Sequence, residues 1–266
     1  MSYHVVEVVH LAGLHIHVWG LMVGLGIFVG AWITARLAPR YGILPERVWT
    51  LSLIVAVAGI LGSRVLWALQ PSLLGRTLED PFLALRVWEG GLTFVGGLLG
   101  AVLAALWYLR RSGLPLRRVA DLVVPGFGVG LAIGRLGCFL TGLHPGEPTS
   151  LPWGIDYLGA VRHPIPLYES GLGLLLAAAA LLLLRRGLRP GLVGLFGGAG
   201  YLTFRSLLDL LRAGEQVTGA DPRFVGAMTL TQAIAVAAVP VLIGGGVWLW
   251  RSGLGQPEGH GPSWTT

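Results

Sequence analysis

An all-α, polytopic membrane protein is the fold class that this sequence predicts, and three observations predict it. Of 266 residues, 54% are hydrophobic and only 12% are charged, against roughly 25% charged in an ordinary soluble domain. Mean hydropathy is +0.72. Seven apolar stretches follow one another along the chain, each near or above the roughly 18 residues needed to cross a bilayer. Together these exclude a soluble enzyme, a disordered chain and a coiled coil.

The predicted spans are Leu11–Ala35, Thr50–Gln70, Gly91–Leu109, Val119–Gly142, Leu167–Leu184, Gly191–Leu211 and Met228–Trp250. Pro39, Pro45, Pro71, Pro81, Pro115 and Pro190 fall in the connections, where a missing N–H does no harm. Arginine placement orients them. Arg36, Arg40 and Arg47 follow the first span, Arg110, Arg111, Arg117 and Arg118 the third, Arg185, Arg186 and Arg189 the fifth, and Arg251 the seventh. On the opposite side, Arg76, Arg86, Arg162, Arg212 and Arg223 mingle with Glu79, Asp80, Glu89, Glu147, Asp156, Glu215 and Asp221. The positive-inside rule then predicts an outer N-terminus and a cytoplasmic C-terminus. We expect a single integral membrane domain over residues 1–251, with an outer loop near 143–166 and a disordered cytoplasmic tail at 252–266. The N-terminus lacks a basic start before its long apolar stretch, so no cleaved signal peptide is expected.

The net charge is +6, and all 19 basic residues are arginine. Spread over short loops, they suit membrane orientation and anionic lipid rather than nucleic acid. The single cysteine, Cys138, excludes an internal disulfide. No His-Glu-x-x-His run or carboxylate–histidine cluster suggests a metal, and no metal or organic cofactor is expected. Glycines four apart, Gly96/Gly100, Gly126/Gly130/Gly134 and Gly194/Gly198, are read as close helix contacts.

Ionisable side chains inside spans cost roughly 2.5–3.5 kcal/mol each, which marks them as functional candidates. Arg64, Arg135 and Arg205 sit on the second, fourth and sixth spans, all running outward. Each lies six or seven residues before the outer end, about 10 Å below the boundary at the helical rise. Three guanidinium groups at one depth suggest an anionic site, and the planar fork of arginine suits a phosphate. Arg205 has Asp209 one turn ahead and Tyr201 one turn back, so local pairing is an alternative. Arg135, Cys138 and Gly142 share a helix face that ends at the long outer loop. Cys138 has no histidine within a turn to activate it and reads best as a small buried hydrophobe. In the loop, His144 and His163 are candidate bases, since histidine titrates near neutrality.

Several segments together resemble the prolipoprotein diacylglyceryl transferase family. Gly134-Arg135-Leu136-Gly137-Cys138-Phe139, followed by Gly142 and Gly146, resembles its signature. Glu89-Gly90-Gly91-Leu92-Thr93-Phe94-Val95-Gly96-Gly97 resembles its glycine-rich third-span motif, and Pro148 to Gly154 its outer-loop motif. Arg162-His163-Pro164-Ile165-Pro166-Leu167-Tyr168-Glu169 resembles another family segment, and Asp121, Pro125, Tyr201, Arg205, Asp209 and Arg212 follow in the expected order. The resemblance spans roughly residues 15–250.

The resemblance implies a multi-pass enzyme of the bacterial cytoplasmic (inner) membrane. Its partners would be phosphatidylglycerol, preprolipoprotein signal peptides and the lipid bilayer, with no nucleic acid. It would transfer a diacylglyceryl group to the lipobox cysteine thiol and release sn-glycerol-1-phosphate. On this reading Arg135, Arg205 and His163 are the catalytic candidates, with His163 as first candidate base. Arg64, Gly96, Cys138, Gly142, Gly146, Glu169, Tyr201 and Asp209 are the substrate-binding candidates. The sequence departs from the family pattern at Val95, where histidine is usual, at Cys138 (usually Asn), at Leu143 (usually Glu), at Asp209 (usually Glu), and near Trp19, where Tyr is usual. Those departures leave two alternatives: a phosphatidylglycerol-binding paralogue with a different acceptor or none, and a seven-span anion transporter. Arginines near one face disfavour transport, which expects a site at the midplane.

Overall fold

A computed structural model describes residues 5–11, 14–85, 91, 93–157, 159–213, 223–225 and 228–252. The predicted tail beyond Ser252, and Arg86, Glu89, Gly90, Leu92, Glu215 and Asp221, lie outside the described residues. Helices dominate: α1 (Val18–Leu37), α2 (Pro45–Ala68), α3 (Pro71–Glu79), α4 (Phe94–Ser112), α5 (Leu116–Leu140), α6 (Ile165–Arg185), α7 (Leu192–Asp209) and α8 (Leu230–Arg251). Three two-stranded hairpins accompany them: β1 (Val8–Leu11) with β2 (Leu14–His17), β3 (Ile155–Tyr157) with β4 (Ala160–Arg162), and β5 (Arg223–Val225) with β6 (Met228–Thr229).

Among the described residues, five helices are long and apolar enough to cross a membrane: α1 with the turn to Tyr41, α2, α5, α6 and α8. Their outward faces carry large apolar side chains such as Leu53, Leu175 and Val241, 66%, 70% and 72% exposed. That much open hydrocarbon is unfavourable in water and favourable in lipid, while each helix satisfies its own backbone. The chain is an all-α polytopic membrane protein.

The first predicted span begins later than Leu11. Residues 8–11 and 14–17 pair antiparallel, with His10 opposite His15, and α1 opens only at Val18. The reason is local: Leu14-His15-Ile16-His17 alternates with period two, a strand signature, and the helical apolar run starts after it.

Proline sets several helix starts, at the first position of α2 and α3 and the second of α6, where its absent N–H would have had no partner. Gly113 stops α4 in the left-handed conformation (φ 66°). At α8, Thr229 and Gln232 form a reciprocal capping box.

The chain divides into two compact units, Gly42–Leu116 and the remainder. In the Gly42–Leu116 unit, α2 packs on α4 through glycine. Gly96 lies against the Gly62 carbonyl, so a side chain there would strike backbone. Ser63 and Thr93 exchange side-chain hydrogen bonds with each other's carbonyls at 2.7 and 3.0 Å.

In the other unit, α5 is the central element. Its Gly126 and Gly130 lie on the carbonyls of Gly30 and Gly26 of α1, and its Gly128 on Gly173 of α6. Ser170 of α6 donates to the Ala132 carbonyl at 2.9 Å. Small residues let these backbones approach, which is how helices gain contact where lipid offers no hydrophobic drive.

Candidate active site

Two of the three arginines that sequence depth singled out, Arg135 and Arg205, meet around one carboxylate. Glu169, in the first turns of α6, is 1% exposed. Arg135 Nε of α5 lies 3.0 Å from its Oε2, and Arg205 Nε of α7 lies 2.8 Å from its Oε1. Arg212, just after α7, places Nη2 at 3.2 and 3.5 Å from the two oxygens. Asp209 holds the far side: its Oδ1 pairs with Arg205 Nη1 and lies 3.3 Å from Arg212 Nε. Its Oδ2 accepts the Thr229 hydroxyl at 2.8 Å.

Among the described residues the cluster therefore contains three guanidinium groups and two carboxylates. These charges lie in a buried setting, where ionic partners interact strongly. Guanidinium forks held this way are suited to a phosphate diester, which carries one negative charge. Arg135 is the more accessible arginine, its side chain 18% exposed against 5% for Arg205 and Arg212.

The long connection from Leu143 to Pro166 is tied to the end of α7. Gly146 bridges Arg212, Ala213 N–H donates to the Pro145 carbonyl at 3.1 Å, and Glu147 N–H to the Leu211 carbonyl at 2.9 Å. Glycine is required at two points. Gly142 sits at φ 67°, and a side chain would strike the Tyr157 hydroxyl, which donates to the Gly142 carbonyl. Burial, with the nearby Glu7 charge adding, holds the Tyr157 phenol above its usual range, so it remains a donor. At Gly146 a Cβ would come within 2.6 Å of His163. These two glycines thus shape the loop beside the arginines. Phe139, Gly142, Tyr157, Arg162 and His163 line a small cleft of about 30 Å³ there.

His163 is held by a chain of donors. Trp153 Nε1–H donates to the Tyr168 hydroxyl at 2.8 Å, and that hydroxyl lies 3.2 Å from His163 Nδ1. Which of the hydroxyl and Nδ1 donates to the other is set by the imidazole tautomer. His144, at φ 59°, places Nδ1 3.5 Å from Arg212 Nη1.

Arg64 belongs to the Gly42–Leu116 unit and is fully buried there. It donates to the Leu83 carbonyl from Nη2 (2.7 Å) and Nε (3.2 Å) and to the Gly91 carbonyl from Nη1 (3.3 Å), and it stacks 4.1 Å over Trp67. Those partners account for its burial, and the arginine that joins Arg135 and Arg205 on Glu169 is Arg212. Gly96 is accounted for by helix packing in the same unit, where Val95 is exposed on the first turn of α4. Cys138 is buried on α5, as a small hydrophobe would be. Tyr201 packs edge-on against Phe127, ring centres 5.2 Å apart.

Sequence reasoning missed Arg212 and Thr229 as cluster members. The signal for Arg212 was present: Arg205, Asp209 and Arg212 recur at i, i+4 and i+7, one helical stripe. Thr229 carried no such signal, because its partner Asp209 is reached only when α8 returns beside α7.

The guanidinium of Arg205 bridges two carboxylates, Glu169 through Nε and Asp209 through Nη1. Arg205→Lys is therefore expected to lower transfer at least about tenfold, since an ammonium keeps the charge but not the fork. Equal activity of the lysine variant would make Arg205 a simple point charge.

The fold and the site define a polytopic membrane protein with a buried arginine cluster suited to a phosphate. Residues 6–250 match the family described as prolipoprotein diacylglyceryl transferase, and the chain belongs to that family. It is similar to proteins named phosphatidylglycerol–prolipoprotein diacylglyceryl transferase. That of Chromohalobacter salexigens is 34% identical over 79% of both chains. That of Vibrio atlanticus is 31% identical over 92% of this chain and 90% of its own. That of Legionella pneumophila strain Philadelphia 1 is 34% identical over 90% of this chain and 93% of its own. These names do not favour the anion transporter or the inactive paralogue.

Proposed function

We propose that this chain transfers the diacylglyceryl group of phosphatidylglycerol to the lipobox cysteine thiol of a preprolipoprotein signal peptide, in the bacterial cytoplasmic membrane. The observation that carries the reading is the convergence of Arg135, Arg205 and Arg212 on Glu169. On this reading the long helices α1, α2 and α4 to α8 make seven spans, with the N-terminus outside and the C-terminus in the cytoplasm. Residues 1–251 act as one membrane domain, and the Leu143–Pro166 connection lies on the outer side with the lipobox.

The thiol sulfur attacks the glyceryl carbon that bears the phosphate. The C–S bond forms, the C–O bond breaks, the thiol proton is lost, and sn-glycerol-1-phosphate leaves. Charge gathers on the departing phosphate, so arginines already aimed at it stabilise the transition state more than the bound lipid. Glu169 and Asp209 hold the guanidinium groups in place before substrate arrives. With Val95 where the family pattern has histidine, and with His163 Nδ1 engaged by the Tyr168 hydroxyl, we assign His163 to hydrogen-bonding the substrate and leave the thiol proton to water.

The direct test is transfer from labelled phosphatidylglycerol to a lipobox peptide by the purified protein. No transfer, with lipid still bound, would overturn the reading. For His163→Gln, we expect slower transfer and an unchanged pH profile. Loss of an acid limb from the profile would reinstate His163 as the base.

A further inference from the structure

Arg135 and Arg205 of the site come from different helices, α5 and α7, and one buried carboxylate ties those helices together. Asp121, near the start of α5, is 4% exposed. Its Oδ2 accepts the Gly191 N–H at 2.6 Å and its Oδ1 accepts the Gly194 N–H at 2.7 Å. Gly191 is the N-cap residue of α7 and Gly194 stands three positions on. A helix N-terminus normally has those amides served by its own N-cap side chain and by the residue three positions later. Here both positions are glycine. A carboxylate from the neighbouring helix does both tasks, and its charge suits the positive end of the α7 dipole. A Cβ at Gly194 would lie 3.1 Å from that of Ala120, so the helix start sits directly on α5.

The spacing gives the cap a second consequence. Arg135 follows Asp121 by fourteen residues, and Arg205 follows Gly191 by fourteen. At the helical rise each arginine stands about 21 Å from the pin. Both helices leave it toward Glu169, and both Nε atoms reach that carboxylate, at 3.0 and 2.8 Å. Equal arms from one tie place two guanidinium groups at one level. Pro125, one turn after Asp121, has no N–H to offer the Asp121 carbonyl. The α5 backbone there is thus released from one helical bond where α7 docks.

We infer that Asp121 is a positioning residue that sets the register of α7 against α5, and through it the place of Arg205 beside Arg135. The inference rests on the transferase reading given above.

Transfer kinetics are measured for the full-length protein and for Asp121→Asn, Asp121→Glu, Arg205→Lys and each Asp121 change combined with Arg205→Lys. Asparagine can accept only one of the two amides, whereas glutamate keeps both acceptors on a longer arm. For Asp121→Asn we expect kcat to fall up to about 10²-fold, the scale of a misplacement near 1 Å, with a smaller change in KM for phosphatidylglycerol. Asp121→Glu should be intermediate. In the Arg205→Lys background either change should add little, because both act through one guanidinium. Spin labels at Leu140→Cys on α5 and Leu207→Cys on α7, in a Cys138→Ala background, read the helix alignment without catalysis. Asp121→Asn or Asp121→Glu should shift or broaden that distance. Losses that multiply in the double variants, or an unchanged distance, would overturn the inference. A parent that transfers nothing would instead defeat the transferase reading, and the spin-label distance would still decide the role of Asp121.

Discussion

Arg135→Ala is expected to abolish diacylglyceryl transfer while the protein stays folded and inserted. Removing one preorganised donor from a site of developing charge costs about 10²–10³ in rate. Arg135 is the arginine best placed to show this cleanly. Its side chain is 18% exposed, more than that of Arg205 or Arg212. Glu169 keeps Arg205 and Arg212 when Arg135 is gone, so no buried carboxylate is abandoned. The measurement is peptide lipidation by purified variant and parent, with thermal unfolding in detergent run alongside. Full activity in a well-folded Arg135→Ala protein would remove the phosphate site from the mechanism.

Glu169→Gln should damage both activity and stability. The carboxylate is 1% exposed and neutralises part of three guanidinium groups. With an amide in its place, the cluster loses one negative charge in a buried setting. Breaking a buried ion pair by removing one partner costs about 3–5 kcal/mol. Thermal unfolding of the glutamine variant should therefore occur well below the parent's, unlike that of Arg135→Ala. A Glu169→Gln protein as stable as the parent would show that the arginines are held mainly by other contacts. The pair of variants separates binding from scaffolding: one loses transfer alone, the other loses both.

The sequence carried the membrane character and the approximate place of every long helix, because lipid imposes a simple demand. Each crossing segment must be long, apolar and internally hydrogen-bonded, so composition and proline positions suffice to find it. It failed at the N-terminus for an equally plain reason. Hydropathy alone merges an alternating strand with the helix after it, and only the period distinguishes Leu14–His17 from Val18 onward.

Of the cluster, the sequence by itself identified Arg135 and Arg205 through the cost of a charge in lipid, and it placed Asp209 one turn from Arg205. What it could not determine was the partner. Glu169 lies 34 residues beyond Arg135 and 36 before Arg205 in the chain, and no local rule relates them. Their meeting depends on α5, α6 and α7 being neighbours at a common depth. That follows from backbone contacts such as Gly128 on Gly173 and from the Asp121 cap on α7. The same holds for Arg64, which has the same depth in its span but is engaged by carbonyls of Leu83 and Gly91 in its own unit. Depth is a property of one helix and can be read along it. Pairing is a property of which helices touch, and only the tertiary structure decides it.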